Sequence, residues 1–296
     1  MSETTLLIDS SNAWYRAWMA THLDKPGGPV MIMTYMLRRV CDRFGKQNVV
    51  ICLDKGSGGR KEIDPDYKSQ RTSTPGVWED FPFMLRMIRC LGIQIAEKDG
   101  YEADDVIGSL AKVSKQPVYI QSYDKDFYQL VDDKIRVLRP EQTVKEKKIP
   151  EKIVDRDLVM EEFGCSPEKV ILCKSFLGDH SDNIPKLPIR FVKNFKEDFY
   201  KLLLKSKDVN DFYTNINLFD DKYKEDLLAF KDRALLNERL VTIQTNLDIK
   251  IKDTKLDADE FEKLCRELKI TRLRVADWEA MPAEAPPPEP VQGSLF

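Results

Sequence analysis

Histidine is almost missing from this chain: His22 and His180 are the two in 296 residues. That scarcity argues against a Ser-His or Cys-His triad and against a histidine-bound zinc hydrolase. The six cysteines (Cys41, Cys52, Cys90, Cys165, Cys173 and Cys265) are scattered and form no C-x-x-C pair. Such spacing fits buried reduced thiols in a cytoplasmic protein, not a disulfide frame. No apolar run is long enough to span a bilayer, and none near the N-terminus reads as a signal peptide. A basic excess is absent too, with 47 Lys and Arg against 50 Asp and Glu and a net charge of −3. Composition alone therefore does not announce nucleic acid, and the placement of charge has to decide.

What is present is a set of nine carboxylates: Asp9, Asp54, Glu102, Asp104, Asp105, Asp124, Asp126, Asp179 and Asp182. Several follow short apolar runs that read as buried strands. Thr5–Ile8 precedes Asp9, Val49–Leu53 precedes Asp54, and Val118–Gln121 precedes Asp124. Open parallel sheets bind ligands outside the carboxyl ends of their strands, so three strands ending in Asp would pool their charge at one spot. Carboxylates held close repel unless a hard cation sits among them, and oxygen-only ligands suit Mg²⁺ or Mn²⁺. The pattern predicts a two-metal phosphodiesterase site.

The first half alternates strands with helices: Val30–Phe44, Trp78–Leu91 and Ala103–Val113 read as helices, and Ile93–Ala96 as a short strand. This implies an α/β fold with a mainly parallel central sheet flanked by helices. After Pro150 the periodicity turns helical over Asp155–Phe163, Pro167–Leu177, Phe191–Leu204, Lys222–Thr242 and Asp257–Leu268. Residues 1–150 are therefore expected to form the α/β domain and 151–280 a smaller all-helical one. No internal repeat is visible. Residues 281–296 are Pro-rich and read as an extended tail.

Each acidic motif has an ordinary alternative. Tyr101–Gly108 could be an acidic helix start, Ser122–Asp126 a strand-to-helix turn, and Gly178–Asn183 an Asx turn. The basic run from Lys186 to Lys207 is as readable as a solvated helix face as a phosphate-binding stripe. It is the set, in this order, that carries weight.

That set resembles the 5′-nuclease family of phage and bacterial 5′→3′ exonucleases and flap endonucleases, which includes the nuclease domain of bacterial DNA polymerase I. The likeness runs from about Leu6 to about Ile249. It rests on Ile8–Asn12, Leu53-Asp54, Tyr67–Arg71, Glu102–Asp105, Asp124–Leu130 and Gly178–Pro185. The absence of a polymerase-sized extension points to the stand-alone type, near the phage ribonuclease H branch. The resemblance implies a PIN-like fold, with Asp9, Asp54, Glu102, Asp104 and Asp105 serving one metal ion and Asp124, Asp126, Asp179 and Asp182 a second. It implies that Lys68 and Arg71, three apart on a short helix, add positive charge at the transition state. An arch or clamp over about 55–85, with Gly56, Gly58 and Gly59 for mobility and Arg60 as a phosphate contact, is expected to grip a single strand. Tyr15 is expected to stack on a terminal base and Arg16 to hold its phosphate, a core tyrosine being the competing view.

One departure stands out. Where the family carries a glycine-rich hairpin, this chain reads Lys186-Leu187-Pro188-Ile189-Arg190-Phe191, without glycine. Lys186, Arg190 and Lys193 are therefore expected to hold duplex DNA by side-chain charge. The tail ends Gln292-Gly293-Ser294-Leu295-Phe296, similar to the Gln-x-x-Leu-Phe motif that docks on sliding clamps, so Gln292, Leu295 and Phe296 are assigned to that partner.

The expected function is a monomeric, Mg²⁺- or Mn²⁺-dependent 5′→3′ exonuclease and flap endonuclease. Its partners would be 5′-flapped, nicked or gapped DNA, RNA–DNA hybrid, a sliding clamp and a single-strand-binding protein. A non-catalytic junction binder or clamp adaptor, and a related single-strand ribonuclease, are the alternatives.

Overall fold

A computed structural model describes residues 4–21, 27–72, 74–144, 147–188, 193–279 and 281. Strand β1 (Thr5–Asp9) runs directly into helix α1 (Ser10–Met19), whose first turn is capped by the Asp9 carboxylate. Helix α2 (Gly28–Phe44) leads to β2 (Val49–Leu53); then come α3 (Arg60–Ile63), α4 (Phe81–Cys90), β3 (Gln94–Glu97), α5 (Ala103–Val113) and β4 (Val118–Gln121). A 3₁₀ turn at Lys125–Leu130 precedes β5 (Ile135–Arg139), the hairpin β6 (Gln142–Val144) and β7 (Lys147–Ile149), and β8 (Lys152–Val154). The remainder is α6 (Arg156–Phe163), α7 (Val170–Leu177), α8 (Lys193–Lys205), α9 (Val209–Thr214), α10 (Asp221–Ala229), α11 (Lys231–Val241), β9 (Ile251–Lys252), α12 (Ala258–Glu267) and α13 (Ala276–Glu279).

The seven-stranded sheet has the order β8-β5-β4-β1-β2-β3-β9. Its five inner strands are parallel, and the two edge strands run antiparallel to their neighbours. Strand β1 lies at the centre, with Asp9 level with Cys52 and Ile8 level with Gln121. The register places Asp9, Asp54 and Asp124 at one edge of the sheet. Helices cover both faces, which is why β2 is buried along its whole length.

The boundary expected near residue 150 does not separate two cores. Strand β8 lies beyond it yet pairs with β5. One apolar cluster joins Leu7, Val50 and Ile120 of the sheet to Phe176, Phe199 and Phe212 of the later helices. On the opposite face a second cluster packs Leu6, Ile8 and Ile51 against Phe261, Leu264 and Trp278 near the C-terminal end. The aromatic knot is tight, with the Phe176 and Phe212 ring centroids 4.5 Å apart. Pairs of this kind contribute about 0.5–1.5 kcal/mol beyond their buried area.

Element ranges differ from expectation where local chemistry intervenes. The single helix expected over Lys222–Thr242 is two helices meeting at Phe230, whose ring is buried. The helix expected from Trp78 begins at Phe81, with Pro82 in its first turn, where a missing N–H costs nothing. Among the described residues, no helix is long and apolar enough to cross a membrane.

Candidate active site

Each strand-end acid also fastens the chain around it. Asp9 accepts hydrogen bonds from the Asn12 N–H (3.1 Å) and the Ser122 hydroxyl (2.9 Å). Asp54 accepts from the Ser11 hydroxyl (2.5 Å) and from the Ala103 N–H (2.8 Å), an orphan donor at the start of α5. Asp124 accepts from the Asp126 N–H at 2.8 Å. Asp104, in the first turn of α5, makes no hydrogen bond or ion pair among the described residues.

These four acids strain against one another electrostatically. Burial pushes the Asp9 carboxyl up to about 7, with the charges of Asp54 and Asp124 adding to it against the bonds from Asn12 and Ser122. Asp104 is raised well above the ordinary carboxylate range by burial and then by Asp124 and Asp9. Asp124 is raised by burial and by Asp182, opposed by Lys174. As the side chains stand, no three of these acids among the described residues are drawn close enough to hold one ion in common. The charge is nonetheless pooled: the unpartnered Asp104 carboxylate feels the charges of Asp9 and Asp124, and that is an environment a divalent cation relieves.

A pH dependence follows from Asp9. Its carboxyl titrates near 3.8 when unfolded and near 7 when folded, so between those values the native state holds more protons. Stability of the metal-free protein should therefore fall as pH rises from about 4 to about 7 and level off above. Melting temperatures measured in chelator between pH 4.5 and 8 check this; a flat or rising profile contradicts it.

Cations surround the other acids. Lys68 Nζ lies 2.8 Å from Glu102 and 4.0 Å from Asp182. The Tyr67 hydroxyl is 3.2 Å from both of those carboxylates, and Arg71 pairs with Asp182 at 2.5 Å. Asp126 and Asp179 bracket Lys174, whose Nζ is 2.5 Å from Asp179. Burial works against ionising Asp179, but Lys174 and Ser181 hold its carboxyl below the ordinary value. Lys174 was not among the residues expected from sequence. Its signal is a lone charge in the apolar run Val170–Leu177, buried with 6 % of its surface exposed.

The loop bearing Asp179 and Asp182 is closed by reciprocal backbone bonds between Asp179 and Ile184, of 2.9 and 2.8 Å. Gly178 makes that closure possible: its φ is 70°, and a Cβ there would meet the Ile184 carbonyl at 2.5 Å. The Tyr67–Arg71 segment docks on this loop through the Lys68 N–H to the Asp182 carbonyl (2.9 Å) and Asn183 Nδ2 to the Asp66 carbonyl (2.9 Å). Lys68 adopts φ 55° and Asn183 φ 58°, a conformation that residues other than glycine adopt mainly where surrounding structure enforces it.

Several expectations are corrected. Lys68 and Arg71 are the two ends of one turn, closed by the Arg71 N–H to the Lys68 carbonyl at 3.2 Å, not part of a short helix, because the positive φ of Lys68 excludes one. Arg60 is no phosphate contact: only 3 % of it is exposed, and its guanidinium is spent inside the protein. It meets both oxygens of Asp105 at 2.8 Å, Glu102 at 3.3 Å, and the carbonyls of Leu240 (2.9 Å) and Thr242 (2.8 Å). Asp105 is therefore not a metal ligand in this arrangement, since Arg60 and the Gln244 N–H at 2.9 Å take its oxygens. Glu102 likewise has both oxygens engaged, by Lys68, Arg60 and Tyr67. Gly56 and Gly58 serve close packing where mobility was expected: a Cβ on Gly56 would fall 2.3 Å from the backbone of Gly100, and one on Gly58 2.6 Å from Asp105.

On α1, Trp14 takes the buried position, its Nε1 donating to the Val77 carbonyl at 2.7 Å, and Tyr15 is left 43 % exposed with Trp18 stacked beside it. The core alternative for Tyr15 is thereby removed. Arg16 lies over the Tyr123 ring and donates to the Glu141 carbonyl at 2.9 Å. Lys186 lines a cavity of about 520 Å³ with Asp64, Gln70 and Arg233, beside the Asp179 loop. Arg190, the side chain of Lys193, and Gln292, Leu295 and Phe296 lie outside the described residues.

Comparison with known proteins places this geometry. Residues 4–164 match the model of the 5′-3′ exonuclease, N-terminal resolvase-like domain. DNA polymerase I of Lactococcus lactis subsp. lactis (strain IL1403) is 33% identical over 279 residues, covering 88% of this chain and 31% of that protein. This chain thus spans about a third of the length of that curated relative. Among solved structures, T5 5′-exonuclease with zinc bound aligns with a TM-score of 0.64 and 19% identity, covering 90% of this chain and 98% of the other. A bacteriophage T5 flap endonuclease in a pseudo-enzyme-product complex with DNA and metal ions aligns with a TM-score of 0.62 and 18% identity, covering 93% and 99%. At those identities the structures establish likeness of fold. With more than half its length matched by the family model, this chain belongs to the 5′-3′ exonuclease family defined by that N-terminal domain.

Proposed function

We propose that this protein is a divalent-metal-dependent, structure-specific 5′ nuclease that cleaves phosphodiesters at 5′ flaps, nicks and gaps in DNA and at RNA–DNA primer ends. The observation that carries it is Asp104, an unpartnered carboxylate under the charges of Asp9 and Asp124, with Asp54 adding its charge to Asp9. Asp9, Asp54, Asp104 and Asp124 would hold the first Mg²⁺ or Mn²⁺. Asp126, Asp179 and Asp182 would take a second ion in competition with Lys174 and Arg71, which neutralise them here. Bound ions would activate water and stabilise the departing 3′-oxygen.

The chain's own residues do the rest. Lys68, braced by Glu102 and held in strained backbone, holds its ammonium between Glu102 and Asp182 within the field of Asp104, where it would meet the scissile phosphate. Arg71 presents a second cation from the same turn. Tyr15 offers exposed ring surface for an unpaired base, backed by the partly buried Trp18 stacked beside it. Lys186 supplies charge for duplex beside the Asp179 loop. The clamp-docking tail enters the proposal on its sequence alone.

The deciding experiment incubates a labelled 5′-flap duplex with Mg²⁺, with chelator, and with the Asp124→Asn variant. Cleavage confined to wild type with Mg²⁺ supports the proposal; binding without cleavage points to a junction adaptor, and cleavage of RNA alone to a ribonuclease. Lys68→Ala is expected to lower the single-turnover cleavage rate about 10²–10³-fold, with a small change in substrate affinity. A loss confined to affinity would place Lys68 in binding only.

A further inference from the structure

A cavity of about 370 Å³ lies behind the proposed reaction centre, between α2 and the segments flanking the β6–β7 hairpin. Arg16, Arg39, Arg43, Gln121, Glu141 and Glu151 line it. Arg43 Nη1 donates to both Glu151 oxygens (2.7 and 2.9 Å), and Glu141 is already matched by Lys148 at 2.8 Å. Arg39 is exposed and makes no hydrogen bond or ion pair among the described residues, facing Glu141 at longer range. The lining thus sets Arg16, Arg39 and Arg43 against Glu141 and Glu151, three cations to two anions, with Glu141 further matched from outside the cavity by Lys148. Planar guanidinium groups converging in this way match the oxygens of a phosphate.

A second, independent observation sits on the cavity floor. Gln121, the last residue of β4, is only 5 % exposed, and its Oε1 has no hydrogen-bond partner. A buried amide without a partner is costly, and an amide end can present either donor or acceptor to an incoming group. A sugar hydroxyl or a base edge would satisfy it. The wall toward the reaction centre is one ring thick: Arg16 lies 5.1 Å from the centroid of Tyr123, and Tyr123 lines the neighbouring cavity that contains Asp124 and Asp126.

We propose that this cavity binds a single nucleotide carrying a phosphate monoester, its phosphate held by Arg16, Arg39 and Arg43 and its sugar or base by Gln121. The placement beside the reaction centre rests on the nuclease reading; the phosphate chemistry does not. Two sources would present the same group: a mononucleotide released by cleavage, or the phosphorylated end of a strand.

The test is calorimetry on the full chain in chelator, where no cleavage occurs. The titrants are deoxyadenosine 5′-monophosphate, deoxyadenosine, inorganic phosphate and a 5′-phosphorylated trinucleotide. The monophosphate is expected to bind at least about tenfold tighter than deoxyadenosine, and Arg39→Ala or Arg43→Ala to weaken it about tenfold or more. Gln121→Leu should weaken the monophosphate and leave inorganic phosphate unchanged. The trinucleotide binding at least as tightly assigns a strand end, and its exclusion assigns a released product; both sustain the phosphate pocket. The proposal is overturned if the monophosphate gives no binding, if both arginine variants bind like wild type, or if inorganic phosphate alone binds as tightly as the nucleotide. Asp124→Asn should keep the binding intact, and a wild-type protein that binds the monophosphate yet never cleaves a flap with Mg²⁺ would refute the nuclease reading and leave this one standing.

Discussion

Arg60→Ala is expected to destabilise the protein by about 3–5 kcal/mol, the usual cost of removing one partner from a buried ion pair. For a chain of this size that corresponds to a fall in melting temperature of roughly 10 °C. The guanidinium ties α3 to α5 through Asp105 and to the end of α11 through the Leu240 and Thr242 carbonyls. Its loss leaves Asp105, which is wholly buried, with the Gln244 N–H as its remaining partner. A companion double variant, Arg60→Met with Asp105→Leu, should recover much of the loss, because an apolar pair leaves no stranded charge. Thermal and denaturant unfolding measure both. Were Arg60 a phosphate contact instead, stability would be unchanged and the salt dependence of DNA binding would lose about one unit of slope.

Asp104→Asn is expected to act in two opposite directions. Cleavage of a flap substrate should fall by about 10²–10³-fold or more, since the variant removes the one unpaired carboxylate proposed to hold the ion. The metal-free variant should nevertheless be more stable than wild type at pH 8, by about 1–3 kcal/mol, because one of four mutually repelling charges is gone. Repulsion of this kind is a cost that a functional site carries and a purely structural one would not. The stabilisation given by added Mg²⁺ should shrink in parallel, as ligand-linked stability requires. Retained cleavage, or a metal-free variant no more stable than wild type at pH 8, would sink the assignment of Asp104.

Much of the fold was readable one segment at a time. The ranges of β4 and α5 are as the apolar periodicity predicts, and the Asp residues closing β1 and β2 stand at the carboxyl edge of a parallel sheet as expected. Other elements escaped. Helix α1 carries two tryptophans and a tyrosine and starts on a cap supplied by Asp9, so its apolar face does not stand out from its exposed one. Edge strands β8 and β9, of three and two residues, are too short to show a period.

The site divides in the same way. Strand ends and the spacing of the acidic motifs are local properties, so the sequence by itself determined which carboxylates could meet and on which side of the sheet. It could not determine their partners, because a partner is chosen across large separations in the chain. Arg60 reaches Asp105 and the end of α11, 45 and 182 residues away, and Lys174 reaches Asp126 across 48. Only the tertiary structure decided that Asp105 and Glu102 face arginine and lysine while Asp104 feels the charge of other carboxylates. The physical reason is that burial makes every charge depend on its nearest neighbour in space, and space is what a linear pattern leaves open.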